Sequence, residues 1–247
     1  MKYKVCLSTK VNPKTIPTVP KNSYILVIEP DDYTTEQVKA IKKKGYTLLA
    51  YLSVGTIEKE RSFYAKYKKY GLKRLKDWPN EVYADVRKTN WRCFLVNRAK
   101  SLKKRGYDGF WCDNLDVYEY YKSEKMFAAC KAVLKQLKAL GYIMVNGGSE
   151  FWDVAMDKKV DLTKLVSGVT QEEVFSLIKN YSGKGTFGVQ KASESTFYQK
   201  LLQRLMRRKI QTYMLEYTRD EKVKEKIRNF CKQGKATGYY ISGDVNL

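Results

Sequence analysis

The residues Gly106-Tyr-Asp-Gly-Phe-Trp-Cys-Asp-Asn-Leu-Asp-Val-Tyr118 carry the densest chemistry in this chain. A short apolar run ends in Asp113, Asn114 and Asp116, so carboxylates stand where a buried strand should emerge into a loop. Such a placement costs free energy unless the charges are paired, hydrated or used. The chain contains no histidine, which excludes a Ser-His-Asp triad, a Cys-His pair and an imidazole metal ligand. If the protein is an enzyme, carboxylates are the leading candidates for its proton transfers. The competing reading is structural: Asp113 and Asp116 cap and order the loop that follows them.

The elements that must position these groups can be read from hydrophobic period. Strand-like runs fall at Lys4–Leu7, Tyr24–Glu29, Thr47–Val54, Gly109–Asn114, Tyr142–Asn146, Leu165–Val169, Ile210–Leu215 and Gly238–Ser242. Helical patterns fill most of the gaps, at Thr34–Lys44, Trp91–Arg105, Lys122–Leu140, Thr196–Arg208 and Glu221–Gln233. Thr34 with Gln37, and Thr218 with Glu221, read as capping boxes. Several helices stop at a glycine followed at once by an apolar strand, the mark of βα repeats. The pattern predicts an α/β fold, a single (β/α)8 TIM barrel forming one domain over 1–247. A doubly wound open sheet is the runner-up, but no Gly-x-Gly-x-x-Gly follows the first strand. The long connections 55–90 and 170–195, rich in Tyr, Lys and Gly, are expected to cover one rim.

A barrel places its site at the C-terminal strand ends. Here those ends carry Glu29 and Asp31, Ser53 with Glu58, Asp113 with Asn114 and Asp116, Asn146 with Glu150, Glu172 with Glu173, Glu216, and Asp244. Any strand end meets water, so polarity alone would mean little. Near-exclusive acids are less expected in a chain with 48 Lys and Arg against 26 Asp and Glu. Acids converging on one mouth push each other's pKa values apart, which is how acid/base pairs are made. Trp78, Trp91, Trp111 and Trp152, with the 20 tyrosines, are potential stacking faces for sugar rings, though most aromatics are expected in core or rim; Tyr51, Tyr118 and Tyr217, near strand ends, are the favoured contacts.

These residues also carry a family likeness. The chain resembles the TIM-barrel glycoside hydrolases of the endo-α-1,4-polygalactosaminidase type, with their bacterial relatives once mislabelled as related to cysteinyl-tRNA synthetase. The matching blocks are Leu49-Ala-Tyr-Leu-Ser-Val-Gly55, Asp85-Val-Arg87 with Trp91, the Gly106–Asp116 segment, Val145-Asn-Gly-Gly148 and Gly168-Val-Thr-Gln-Glu172. The resemblance implies a glycoside hydrolase cleaving an amino-sugar-containing polysaccharide, with Asp113 and Glu172 as the catalytic carboxylates. In that reading Asp113 is the nucleophile and Glu172 the acid/base, with Glu173 as the alternative if the register slips by one. Asp31, Tyr51, Ser53, Glu58, Asn114, Asp116, Asn146, Glu150, Glu216 and Tyr217 are then substrate-contacting positions. Two departures stand out: relatives usually carry glutamate directly after the Ser-Val-Gly turn, where this chain has Thr56, and the strand-seven acid is typically aspartate rather than Glu216. Carboxyl separation would decide stereochemistry, about 5–5.5 Å for retention and about 6.5–9.5 Å for inversion.

No cofactor and no metal site are expected: the five cysteines are scattered without a Cys-x-x-Cys pair, and nothing resembles an EF-hand loop. The net charge of +22 favours electrostatic association with anionic envelope polymers, and a non-catalytic binding protein for such a polymer is the rival reading. Nucleic acid is disfavoured, because the basic cluster Arg204, Arg207, Arg208 and Lys209 sits at the end of an outer helix. The same charge repels a cationic glycan at long range, which argues for a neutral, N-acetylated or anionic substrate. No apolar run is long enough to span a membrane. Met1-Lys-Tyr-Lys-Val-Cys6 runs straight into strand-like sequence, so the chain is either cytosolic or an exported protein, secreted or envelope-associated, that has lost its leader.

Overall fold

The computed structural model describes residues 1–247. Eight parallel strands wind into a barrel: β1 (Lys2–Cys6), β2 (Tyr24–Ile28), β3 (Thr47–Ser53), β4 (Gly109–Asp113), β5 (Tyr142–Asn146), β6 (Gly168–Glu172), β7 (Gln211–Tyr217) and β8 (Gly238–Ser242). Each is hydrogen-bonded to the next in sequence, and β8 returns beside β1 without a continuous ladder. Six long helices cover the outside: α1 (Thr35–Lys43), α2 (Thr89–Arg105), α3 (Glu124–Lys138), α4 (Ser149–Asp157), α5 (Ala192–Met206) and α6 (Glu221–Lys232). Each links two successive barrel strands, from β2 through to β8. Residues 7–23 join β1 to β2 without a helix. The whole is the (β/α)8 barrel that the alternating pattern predicts, and no helix is long and apolar enough to cross a membrane.

Strand parity builds two cores. Tyr3, Val5, Ile25, Val27, Leu49, Tyr51, Trp111, Met144, Tyr213, Leu215 and Tyr217 fill the barrel interior. The alternate residues, such as Leu26, Leu48, Phe110, Cys112, Ile143 and Val145, pack outward against the helices. Side chains alternate faces along a strand, so Asp113 shares the inner face with Trp111, Asn146 with Met144, and Glu172 with Thr170.

The structure shifts several boundaries. The sixth strand is Gly168–Glu172 rather than Leu165–Val169, because Leu162–Lys164 forms a 3₁₀ turn and Leu165 and Val166 bury into the outer core. A short apolar run does not reveal which of its residues pair. The seventh strand runs on to Tyr217 and takes Glu216 into the sheet. Helix α4 has no counterpart in the sequence reading. The Thr34/Gln37 capping box is present, but α6 is capped by Asp220, whose carboxylate accepts the Lys222 and Val223 N–H groups, rather than by Thr218 and Glu221.

The two long connections are structured. Thr56–Glu58, Gly71–Arg74 and Glu81–Ala84 form a small antiparallel sheet after β3. Ser176–Asn180 and Thr186–Val189 form a hairpin after β6. Gly55, at the first of these exits, is in close contact with the β4 exit: a Cβ there would lie 1.7 Å from the Asn114 carbonyl oxygen. Substituting Gly55→Ala should therefore cost about 1–3 kcal/mol of overpacking strain, measurable by urea denaturation. Wild-type stability in that variant would show that the two loops separate freely.

Candidate active site

The C-terminal end of the barrel opens into a cavity of about 400 Å³. Its floor is set by three adjacent strands. Asp113 ends β4, Asn146 ends β5 and Glu172 ends β6, all on the inner face. The Asn146 side-chain amide donates from Nδ2 to Asp113 Oδ1 at 3.0 Å and to Glu172 Oε1. One nitrogen thus ties the two carboxylates together. Asp113 also accepts from the Asn114 backbone N–H at 2.9 Å and from the Tyr51 hydroxyl at 3.3 Å. Glu172 accepts from the Tyr217 hydroxyl at 2.8 Å.

Withdrawal from water raises both acids to about 7; for Asp113 the next cause is the nearby Glu172 charge, and for Glu172 the Asn146 and Tyr217 hydrogen bonds oppose the rise. Two like charges in a cleft of low polarity favour holding one proton between them.

Around this pair the β4 and β5 exits lock each other. Asn114, in the left-handed region at φ 64°, donates from its side chain to Ser53 Oγ and Thr56 Oγ1, each at 3.1 Å. Asp116 accepts the Gly148 backbone N–H at 2.8 Å. Gly147 has φ 67°, and a Cβ there would meet the Asp116 carboxylate at 2.7 Å. The Asn-Gly-Gly run is what allows Asn146 and Asp116 to share this corner.

Of the positions singled out from sequence, Tyr51, Glu58, Asn114, Asp116, Asn146 and Tyr217 line the cavity with Asp113 and Glu172. Ser53 stands behind it, bonded to Thr56 and Asn114. Asp31 lies outside, held by Arg61 and Arg98. Glu150 also lies outside, 2.7 Å from the Lys122 ammonium. Glu216 is fully buried on the outer face of β7, because Leu215 and Tyr217 take the inner positions. Its carboxylate accepts the Phe175 and Ser176 N–H groups and the Ser176 hydroxyl. It therefore anchors the turn after Glu172 rather than facing the cavity, and burial raises it to about 7. Glu173, at φ 57°, turns its carboxylate onto the Ile178 N–H.

Sequence reasoning missed Arg61, Glu81 and Tyr181 as cavity residues, named Trp78 only among the four tryptophans that could stack on a sugar, and noted Glu29 without assigning it there. Arg61 is clamped by Glu29 through two N–H groups at 2.8 Å and also holds Glu58. All but Glu29 come from the two long connections, whose antiparallel pairing sets Glu58 opposite Glu81. No local sequence signal marks them. No group of three or more cysteines and acids is arranged to hold a metal ion.

Comparison with known proteins gives the class. The family model for glycoside-hydrolase family GH114 matches residues 2–242. The chain belongs to that family. Among solved structures it is similar to the glycoside hydrolase domain of PelA from Pseudomonas aeruginosa, at 18% identity and a TM-score of 0.77, covering 100% of this chain and 96% of that one. It is also similar to Ega3 of Aspergillus fumigatus, solved in complex with galactosamine, at 16% identity and a TM-score of 0.74, covering 100% and 92%. A curated protein of Thermotoga maritima is 21% identical over 139 residues, a match that spans 54% of this chain and 41% of that protein.

Glu216 gives a test of this arrangement through stability. Its folded-state pKa lies above the unfolded value of about 4.3, so between about pH 4.3 and 7 the folded state holds the extra proton. Its contribution to stability therefore falls as pH rises through that window. Thermal melts of Glu216→Gln should lose part of the wild-type decline in Tm between pH 5 and 7.5. Superimposable pH profiles would mean Glu216 does not titrate in this range.

Proposed function

We propose that the protein hydrolyses glycosidic bonds in an amino-sugar polysaccharide, with Asp113 as nucleophile and Glu172 as acid/base. The observation that carries this reading is the Asn146 amide shared by the two carboxylates. With its nitrogen 3.0 Å from one oxygen and 2.5 Å from the other, the facing oxygens are at most about 5.5 Å apart, which supports the shorter carboxyl separation of retaining enzymes over the wider one of inverting enzymes. Asp113 has three donors that favour its charged form. Glu172, one methylene longer and bonded to fewer donors, keeps the proton that the leaving oxygen needs.

The steps follow. Asp113 attacks the anomeric carbon while the Glu172 proton passes to the glycosidic oxygen, and the bond to the leaving sugar breaks. Glu172, now charged, takes a proton from water, whose oxygen displaces Asp113 and frees the sugar with its original anomeric configuration. Tyr217 and Asn146 keep Glu172 oriented through both steps.

The amino-sugar assignment is supported by family membership, by the structural neighbour solved with galactosamine, and by the lining. Glu29, Glu58, Glu81, Asp113, Asp116 and Glu172 face the cavity against the single base Arg61. The +22 surface repels a cationic glycan at a distance, but this field is screened beyond about 8 Å in physiological salt, so the acidic lining governs contact.

Reducing-end release from bacterial and fungal exopolysaccharides tests the reading. Asp113→Asn and Glu172→Gln should each lower kcat by about a hundredfold or more, with circular dichroism unchanged. Glycan binding without cleavage, indifferent to both changes, would instead make the barrel a binding module. Product analysis by NMR should show retention; inversion would remove Asp113 as nucleophile. Wild-type kcat/KM should peak near or below pH 7 and fall on both sides, since one of the pair must be charged and the other protonated.

A further inference from the structure

The surplus of positive charge has a place in the fold. Each helix lies between two successive parallel strands, so it runs back along the barrel and leads to the start of the next strand. The helix-to-strand connections therefore gather at the end opposite the acidic cavity. Lys43, Lys104, Lys135, Arg208 and Lys235 stand in or just beyond the last turns of α1, α2, α3, α5 and α6, and all five are exposed. The only carboxylates in the six connections are Asp108 and Asp161, already paired with Lys42 at 2.6 Å and Lys164 at 3.6 Å. The five cations are left without a partner. One basic residue per end would answer the helix dipole, but Lys103, Lys104 and Arg105 crowd the end of α2, and Arg207, Arg208 and Lys209 follow one another after α5. Soluble surfaces ordinarily intersperse both signs; this one does not.

A gap in the helical coat opens at the same end. Residues 7–23 join β1 to β2 without a helix, and a cavity of about 860 Å³ remains on the outside of these strands. Val11, Ile16, Val19, Tyr24, Leu26 and Tyr46 form its apolar wall, and no carboxylate lines it. Lys2 opens β1, Tyr24 opens β2 and Tyr46 directly precedes β3, so the cavity reaches the strand-start face. The outer positions of β4 and β5, under helices, are apolar: Phe110, Cys112, Ile143 and Val145. The corresponding positions of β1 include Lys2 and Lys4, both exposed at the edge of the cavity. A lysine so placed lays its alkyl stem on apolar surface and holds its ammonium outward.

We propose that the strand-start face of the barrel docks on an anionic lipid bilayer, with headgroup phosphates against the helix-end cations and an acyl chain in the β1–β2 cavity. The distribution of charge favours a flat partner. Five cations at separate points around the barrel mark out a face, whereas a linear polyanion follows a continuous basic groove. The exposed aromatics Trp78, Tyr120, Tyr181 and Phe197 all lie outside the six connections, so the bases of a nucleic acid would find no stacking platform there. An apolar cavity edged by lysines matches an amphiphile, which offers an alkyl chain beside a phosphate. The six acids of the mouth are repelled by the same bilayer, and this fixes the orientation. Docked in this way, the protein turns its mouth outward to the solvent.

Co-sedimentation with phosphatidylcholine vesicles, with and without phosphatidylglycerol, tests the docking face and needs no turnover. Wild type should bind the phosphatidylglycerol vesicles and not the neutral ones, and its affinity should fall as salt rises. Lys135→Gln, Arg208→Gln and Lys235→Gln combined should weaken binding about a hundredfold, at about fivefold for each charge. Lys125→Gln, Lys191→Gln and Lys222→Gln combined remove the same charge from exposed positions at the opposite ends of the same three helices. That control should bind within about twofold of wild type, its charges being screened from the bilayer. Ile16→Ser, in the cavity wall, should weaken binding several-fold with the salt dependence unchanged. Circular dichroism melts confirm that each variant is folded. Equal losses in the two triple variants would reduce the effect to net charge and overturn the docking face, as would binding indifferent to phosphatidylglycerol. Retention on poly(glycerol phosphate) or duplex DNA without vesicle binding would put a linear polyanion in place of the bilayer and overturn the proposal. Full affinity in Ile16→Ser would remove the acyl chain from the β1–β2 cavity.

Discussion

Two carboxylates held by one amide is the constraint from which the rest of this structure follows. Asp113 and Glu172 repel each other, and burial penalises each charge further. The pair persists because Asn146 stands on the strand between them and donates to both. For that, three neighbouring strands must end at matching heights with the right faces inward, which the parallel register provides by setting Asn146 beside Thr170, two residues before Glu172. The loops then serve the strands. Asp116 and the Gly147–Gly148 turn fix the exit that follows Asn146, and Asn114 ties the β4 exit to the Ser53–Thr56 corner.

The same parity that brings the pair together sends Glu216 away from it. A strand exposes alternate residues to opposite sides, so with Leu215 and Tyr217 inside the barrel, Glu216 faces outward. Its carboxylate is spent on the Phe175 and Ser176 donors, which fixes the turn directly beyond the acid/base candidate. A residue whose position at a strand end suggests substrate contact instead holds the backbone that carries Glu172.

Charge is divided in space. Lysines and arginines dominate the surface, whereas the cavity is lined by six acids and one arginine. Arg61 pairs with Glu29 and Glu58, so its one positive charge offsets part of theirs and keeps the mouth from being uniformly negative. It also lies over the Tyr51 ring, its guanidinium 5.6 Å from the centroid, and so buttresses a residue that donates to Asp113. The net charge of the chain is therefore a poor guide to what its cleft admits.

The sequence by itself determined the alternation of strand and helix, the barrel, the absence of histidine chemistry, and the strand-end carboxylates and amide at Asp113, Asn146 and Glu172. Those are legible because hydrophobic period and helix stops are local, because an acid such as Asp113 ending an apolar run is anomalous wherever it occurs, and, for Glu172, because the Gly168-Val-Thr-Gln-Glu172 block carries the family likeness. Register was less legible: the start of the sixth strand and the inner or outer face of Glu216 depend on which residues pair across strands, and a short apolar run is compatible with several pairings. Only the tertiary structure decided that Glu81 and Trp78 from one connection and Tyr181 from another meet over the same cavity. They are distant along the chain and lie in polar, aromatic segments without period, so only the folded barrel, which gathers every βα loop at one end, brings them together.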